Sequence, residues 1–146
     1  MTMAVKHEFV VWGNPRGKGR PRFTMRGHTY TDAVTTEYEG KVKRAWKQEN
    51  FYKLEKQPTT VIITAYFPVP VSLSKKKRAA LFGTQYLGKP DGDNIGKIIL
   101  DSLNSLAYSD DSQIDTLLVT KLYVKDGEEP RVKVTIIGEG DAGKDG

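Results

Sequence analysis

The hydrophobic period changes several times along the chain, and each change marks an element. Residues 8–12 form a short β-type apolar run, which predicts a strand. Residues 14–24 are rich in Gly, Pro and Arg and predict a loop or irregular edge. From Val34 the spacing turns helical. Val34, Tyr38, Val42, Ala45 and Trp46 recur on one face, with Lys41, Lys43, Arg44 and Lys47 mostly elsewhere. With Thr31 or Asp32 as N-cap, this predicts a helix over 33–50. Residues 59–67 are almost all β-branched or aromatic, as in a central strand covered on both faces, and Pro68 and Pro70 end it. Ser74 is placed to cap a short helix over 75–82 that Gly83 closes.

Residues 85–93 read as a loop. Ile95, Ile98, Ile99, Leu103 and Leu106 then share one face of a second amphipathic helix, over 94–106. Residues 114–124 predict a strand, Asp126-Gly127 a turn, and the alternation over 131–137 a further strand, so that 114–137 reads as a β-hairpin. Trp12, Trp46, Tyr38 and Phe67 fall inside these patterns and are expected in the core, whereas Tyr30 and Tyr108 fall in loops. The element order predicts one α/β (α+β) domain over 1–137, a mixed sheet of about four strands with helices packed on it. Residues 138–146, polar and glycine-rich, predict a flexible C-terminal tail.

Composition narrows the function classes. The 146 residues include no cysteine, which excludes disulfides, zinc–thiolate sites and a cysteine nucleophile, and suits a cytoplasmic protein. Residues 1–11 lack the apolar stretch of a signal peptide, and no apolar run is long enough to span a membrane. The net charge is +5, but it is unevenly spread. Residues 1–90 carry seventeen Lys/Arg against six Asp/Glu, and residues 91–146 carry six against twelve. The basic part suits the phosphates of a polyanion. The acidic part suits metal cations, which also relieve its repulsion from that polyanion.

The acids fall in two clusters flanking the second helix. Asp91 and Asp93 are two apart in its entry segment, where alternate residues point the same way and both can face one cation. Lys97 follows one turn beyond Asp93, and Asp101 one turn beyond Lys97. Asp110 and Asp111 precede a strand, and the turn after the helix can return one of them toward Asp91 and Asp93. Three such carboxylates suit Mg²⁺ acting on a phosphodiester, with Lys97 as an electrostatic catalyst. This makes Asp91, Asp93 and Asp111 candidate metal ligands. Taken singly, each acid has a plainer role: Asp93 or Asn94 as a helix cap, Asp101 as the ion-pair partner of Lys97, Asp110-Asp111 as a strand cap. An EF-hand is excluded, because its twelfth position counted from Asp91 is Ser102 rather than Glu.

Asp91, Asp93, Asn94, Lys97, Asp101, Asp110, Asp111, Gln113 and Ile114, in that order and spacing, resemble the signature of the RusA family of Holliday junction resolvases. The run Lys18-Gly19-Arg20-Pro21-Arg22-Phe23 extends the likeness more weakly. The resemblance implies a homodimeric nuclease that binds four-way DNA junctions and makes paired, symmetric nicks with Mg²⁺ (Mn²⁺ substituting) in recombination and repair. It needs no small-molecule cofactor. The resemblance also assigns the essential roles to Asp91, Asp93, Lys97 and Asp111, and small basic members are often of phage or prophage origin.

Two basic runs are candidate DNA-binding segments. Arg16, Lys18, Arg20 and Arg22 alternate, so in an extended segment their charges project from one side, followed by Arg26 and His28. Lys75, Lys76, Lys77 and Arg78 open a short helix, where the dipole disfavours cations, a local mismatch that suits a phosphate-facing role. Two rivals remain at this level: a branched-DNA-binding module without catalysis, and a nuclease for flaps or forks. A nucleotidyltransferase would need a Gly-Ser nucleotide-binding segment ahead of the acids, and none is evident.

Overall fold

The computed structural model describes residues 4–19, 22–23, 27, 29–30 and 32–140. Strand β1 (Val5–Trp12) alternates, with His7, Phe9 and Val11 buried. Trp12 faces the other way and is 58% exposed, which corrects its expected place in the core: a period of two sets neighbours of Val11 on the opposite side. β2 (Arg22–Phe23) and β3 (Thr29–Tyr30) form a small antiparallel pair.

Helix α1 (Ala33–Gln48) begins at the N-cap Asp32, whose side chain accepts a hydrogen bond from the Thr35 amide at 2.8 Å. Its buried stripe is Thr35, Tyr38, Val42 and Trp46, a helical repeat that leaves Val34 exposed. The stripe keeps Tyr38, Val42 and Trp46 of the apolar pattern, with Thr35 in place of Val34 at its start. Trp46 packs edge-on to His7 and Phe9, and His7 stacks on Phe51 with ring centroids 4.3 Å apart.

Strand β4 (Thr59–Phe67) buries Thr59, Val61, Ile63, Ala65 and Phe67 on one face. Its other face, expected to be covered as well, is half-buried. There the Arg131 guanidinium lies 4.0 Å from the centre of the Tyr66 ring. Helix α2 (Lys75–Leu81), capped by Ser74, and helix α3 (Gly92–Leu103) carry the chain across to β5 (Ile114–Tyr123). β6 (Arg131–Gly138) completes a mixed sheet of order β1-β6-β4-β5.

β5 pairs parallel with β4, and β6 pairs antiparallel with both β1 and β4. The expected hairpin of β5 with β6 does not form, because β4 lies between them. The parallel pair needs a long crossover, and the α2–α3 segment supplies it. After β5, the Val124 amide bonds the Phe67 carbonyl at 2.9 Å, and the chain then crosses to β6.

α1 and α3 pack on each other and on the sheet. α3 buries Ile95, Ile98, Ile99, Ser102 and Leu103, and it approaches β5 closely because position 96 is glycine. A Cβ there would meet Leu117 Cδ2 at 3.3 Å and Val119 Cγ2 at 3.4 Å. The helix begins and ends earlier than its apolar pattern predicts. Asp91 takes the N-cap position, and at the far end the Leu106 and Ala107 amides both return to the Leu103 carbonyl at 2.9 Å. Tyr108, expected in a loop, is fully buried in the core, with its hydroxyl donating to the Leu100 carbonyl at 2.6 Å. Beyond β6, which includes Gly138, the Glu139 and Gly140 amides bond the Gln57 side-chain oxygen at 2.5 and 3.0 Å. Residues 141–146 of the expected tail lie outside the described residues.

Candidate active site

The acidic residues are set by α3 and by the turn that returns the chain to β5. The segment before α3 is tied down on two sides. Tyr86 stacks on Phe67 at 3.8 Å and donates to the Lys89 carbonyl at 2.9 Å. Lys121 of β5 donates to the Gly88 and Pro90 carbonyls at 2.7 and 3.0 Å. These bonds fix Asp91 at the mouth of α3. Its carboxylate makes no cap hydrogen bond and instead meets the exposed Lys89 ammonium at 3.0 Å. Asp93, in the first turn, is exposed and has no hydrogen-bond or ion-pair partner among the described residues. The plainer reading of Asp93 as a cap is thus not what the geometry provides.

Further along α3, Lys97 is exposed and only loosely paired with Asp101, at 3.8 Å. Asp101 has a nearer partner in Lys18, at 3.1 Å, and Lys18 also meets Glu39 of α1 at 2.7 Å. Burial pushes the Lys18 amine down, but hydrogen bonds to Glu39 and Asp101 outweigh it and hold the amine above the usual lysine range. The Lys18 amide also bonds the Asn94 carbonyl at 2.9 Å. Lys18 was expected to project toward DNA with its neighbours. It turns inward and pins its loop to α1 and α3.

A 3₁₀ turn, Asp111–Gln113, leads into β5. Asp110 caps it, accepting from the Ser112 amide at 3.0 Å, and hydrogen bonds from the Ser112 side chain and amide hold its carboxyl below the usual range. Gln113 completes the capping box. Its side-chain oxygen accepts from the Ser109 and Asp110 amides at 2.8 and 3.2 Å. Its amide nitrogen donates to the Leu54 carbonyl and the Thr59 hydroxyl, each at 3.0 Å. The turn is thereby fastened to the start of β4. Asp111 is half-buried, and its Oδ1 has no hydrogen-bond partner among the described residues. Burial pushes its carboxyl above the usual range, Asp101 and Asp110 add to this, and Tyr108 and Lys97 oppose it.

Asp111 therefore stands with Lys97 and Asp101 on one side of the molecule, while Asp91 and Asp93 mark the opening of the same helix. Among the described residues no three acidic or histidine side chains are gathered around one point. The donor set still suits Mg²⁺. It consists of oxygens alone, it includes an unsatisfied carboxylate oxygen, and Mg²⁺ is commonly held by one or two carboxylates with water and substrate phosphate rather than by an all-protein cage.

The family-model match covers residues 13–137, described as endodeoxyribonuclease RusA, and takes in every residue of this site. The chain belongs to the RusA family of endodeoxyribonucleases. A relative from Bacillus subtilis (strain 168), the uncharacterized protein YqaN, is 37% identical over 136 residues, spanning 88% of this chain and 94% of its own. In this RusA-family chain a cleft of about 520 Å³, lined among others by Arg16, Phe67, Tyr86 and Lys89, reaches Pro90 just ahead of Asp91. No helix among the described residues is long and apolar enough to cross a membrane.

The basic candidates divide. Arg16, Lys75, Lys76 and Lys77 are exposed, whereas Arg78 is half-buried, with its guanidinium 5.9 Å from the centre of the Phe82 ring. Arg20, Arg26 and His28 lie outside the described residues, and Arg22 is described only through its backbone in β2. Sequence reasoning gave no role to Lys89 or Lys121, and named Gln113 only as a signature position. A signal existed for Gln113, because Asp110-x-x-Gln113 has capping-box spacing. None existed for Lys121, whose contacts span the fold.

Proposed function

We propose that this chain is a Mg²⁺-dependent, structure-specific endonuclease that resolves four-way (Holliday) DNA junctions in recombination and repair. It acts as a homodimer whose two centres make paired, symmetric nicks. The observation that carries the reading is the half-buried Asp111, whose Oδ1 has no hydrogen-bond partner among the described residues, within a RusA-family chain.

Asp91, Asp93 and Asp111 would hold the metal, with Mn²⁺ able to replace Mg²⁺. When bound, the metal lowers the barrier to water attack and offsets charge developing on the phosphate. Lys97, free of a tight ion pair, binds a non-bridging oxygen of the scissile phosphate and stabilises that same charge. Water adds to phosphorus as the bond to the leaving oxygen breaks, and the leaving oxygen takes up a proton. The exposed Arg16, Lys75, Lys76 and Lys77 hold the DNA arms, together with Arg20, Arg22 and Arg78. Binding should therefore weaken steeply with salt.

A second reading, a branched-DNA-binding module without cleavage, is favoured by one observation: the acids are not gathered around one point among the described residues. A nuclease for flaps or forks is a variant of the first. Asp93→Asn separates the two main readings. On the nuclease reading it abolishes nicking of a labelled junction while junction binding persists. A variant that cuts at the wild-type rate removes Asp93 from the site.

A further inference from the structure

Beside α1, a pocket of about 270 Å³ opens between the chain at Asn14 and Arg16 and the side chains of Tyr38, Lys41 and Arg44. Tyr38 is 6% exposed, and its hydroxyl has no hydrogen-bond partner among the described residues. A buried hydroxyl left unpaired is unfavourable, so such a group calls for a partner from outside the chain. Burial pushes the hydroxyl well above the usual tyrosine range, with Arg16 opposing, so it is a proton donor at neutral pH.

Three cations surround this donor. Arg16, Lys41 and Arg44 all line the pocket, against one acid, Glu37. None of the three cations has an ion-pair partner among the described residues. Two glycines make room for them. The Lys41 ammonium lies 2.5 Å from where a Cβ at Gly13 would stand, and Gly13 has φ +108°, which a side chain would strain. An Arg44 guanidinium nitrogen lies 3.3 Å from the corresponding position at Gly40. Gly13 is itself anchored by its amide, which bonds the Pro130 carbonyl at 3.0 Å. A buried neutral donor beneath converging cations, with no acceptor of their own, matches a tetrahedral oxyanion.

We infer that this pocket is a phosphate seat, in which the Tyr38 hydroxyl and the Arg16, Lys41 and Arg44 side chains hold one backbone phosphate of the DNA away from the acidic centre. That the phosphate belongs to DNA rests on the proposed function; that the pocket takes a phosphate does not.

Two variants test it in the full-length protein: Tyr38→Phe, which removes only the hydroxyl oxygen, and the double variant Lys41→Ala/Arg44→Ala. The first readout is the rise in Tm caused by inorganic phosphate over chloride at equal ionic strength. The second is junction affinity across a salt series in EDTA, which needs no cleavage. Tyr38→Phe is expected to keep or raise Tm in chloride, to lose the phosphate-induced rise, and to weaken junction binding by about tenfold. The double variant is expected to lower the salt slope by about two. If Tyr38→Phe and the double variant both match wild type in phosphate and junction binding, the seat is refuted. Loss of the phosphate effect with unchanged junction affinity would overturn the assignment to DNA and leave free phosphate as the ligand. Failure of the wild-type protein to cut junctions bears on the proposed function alone, because neither readout depends on it.

Discussion

The Lys18 ammonium lies 3.1 Å from the Asp101 carboxylate, joining the basic loop to the helix that carries the acids. Because Glu39 takes up the same ammonium at 2.7 Å, one lysine holds α1, α3 and the loop together. It also occupies Asp101, the residue that would otherwise draw Lys97 into a close i,i+4 pair. Lys18→Met should lower stability by about 1–2 kcal/mol, because it leaves the half-buried Glu39 carboxylate without its partner and removes the nearer partner of Asp101. It should also slow cleavage by letting Lys97 close on Asp101. The amine is held above its unfolded value, so its contribution is full below the ordinary lysine pKa. It is lost as pH rises through the higher folded value. Thermal melts of wild type and Lys18→Met should therefore converge only at strongly alkaline pH. A constant gap across that range would exclude the ion pair as its cause.

Gln113 binds five groups with one side chain and holds the Asp111 turn against the start of β4. Gln113→Ala is expected to cost about 1–3 kcal/mol, since it leaves partly buried backbone groups unpaired. The turn that aims Asp111 would also loosen. Cleavage rate should fall much more than junction affinity, as measured by single-turnover nicking beside a binding titration. Equal losses in both would point to a general folding defect.

Asp111→Asn isolates the carboxylate charge. In the metal-free protein the half-buried carboxylate has an unsatisfied oxygen, so the neutral amide should leave Tm equal or higher. Mg²⁺ should raise the Tm of wild type and have little effect on the variant, with nicking lost. A variant stabilised by Mg²⁺ as strongly as wild type would exclude Asp111 as a ligand.

Much of the architecture is legible in the sequence because period and burial agree. Tyr38, Val42 and Trp46 fall on the buried face of α1, and Ile95, Ile98, Ile99 and Leu103 on that of α3. The strands of the sheet follow their β-branched runs. The pairing of those strands was not legible. Asp126-Gly127 is a genuine turn, with Gly127 at φ +84°, yet local turn chemistry cannot reveal that β4 occupies the place beside β6. Tyr108 was misplaced because its neighbours Asn104, Ser105, Ser109 and Asp110 read as loop, although the turn they form folds the ring inward.

The local placement of the candidate site residues was legible where it depends on short spacing. Asp91, Asp93 and Lys97 share one helix entry, and Asp110 and Asp111 one turn. The partition between those last two depends on a hydrogen bond: the Ser112 amide takes Asp110 as a cap and leaves Asp111 with its free oxygen. Lys18 could not be read correctly from its alternation with Arg16, because its partners Glu39 and Asp101 come from distant segments.

The most direct measurement is cleavage of a labelled synthetic four-way junction beside a linear duplex of the same sequence, in Mg²⁺ or EDTA, with wild type and Asp93→Asn. The expected result is paired, symmetric nicks in the junction alone, only with Mg²⁺ and only by wild type. Tight junction binding with no cleavage under any divalent metal would contradict it, and would return Asp91, Asp93 and Asp111 to the role of surface charges in a DNA-binding module.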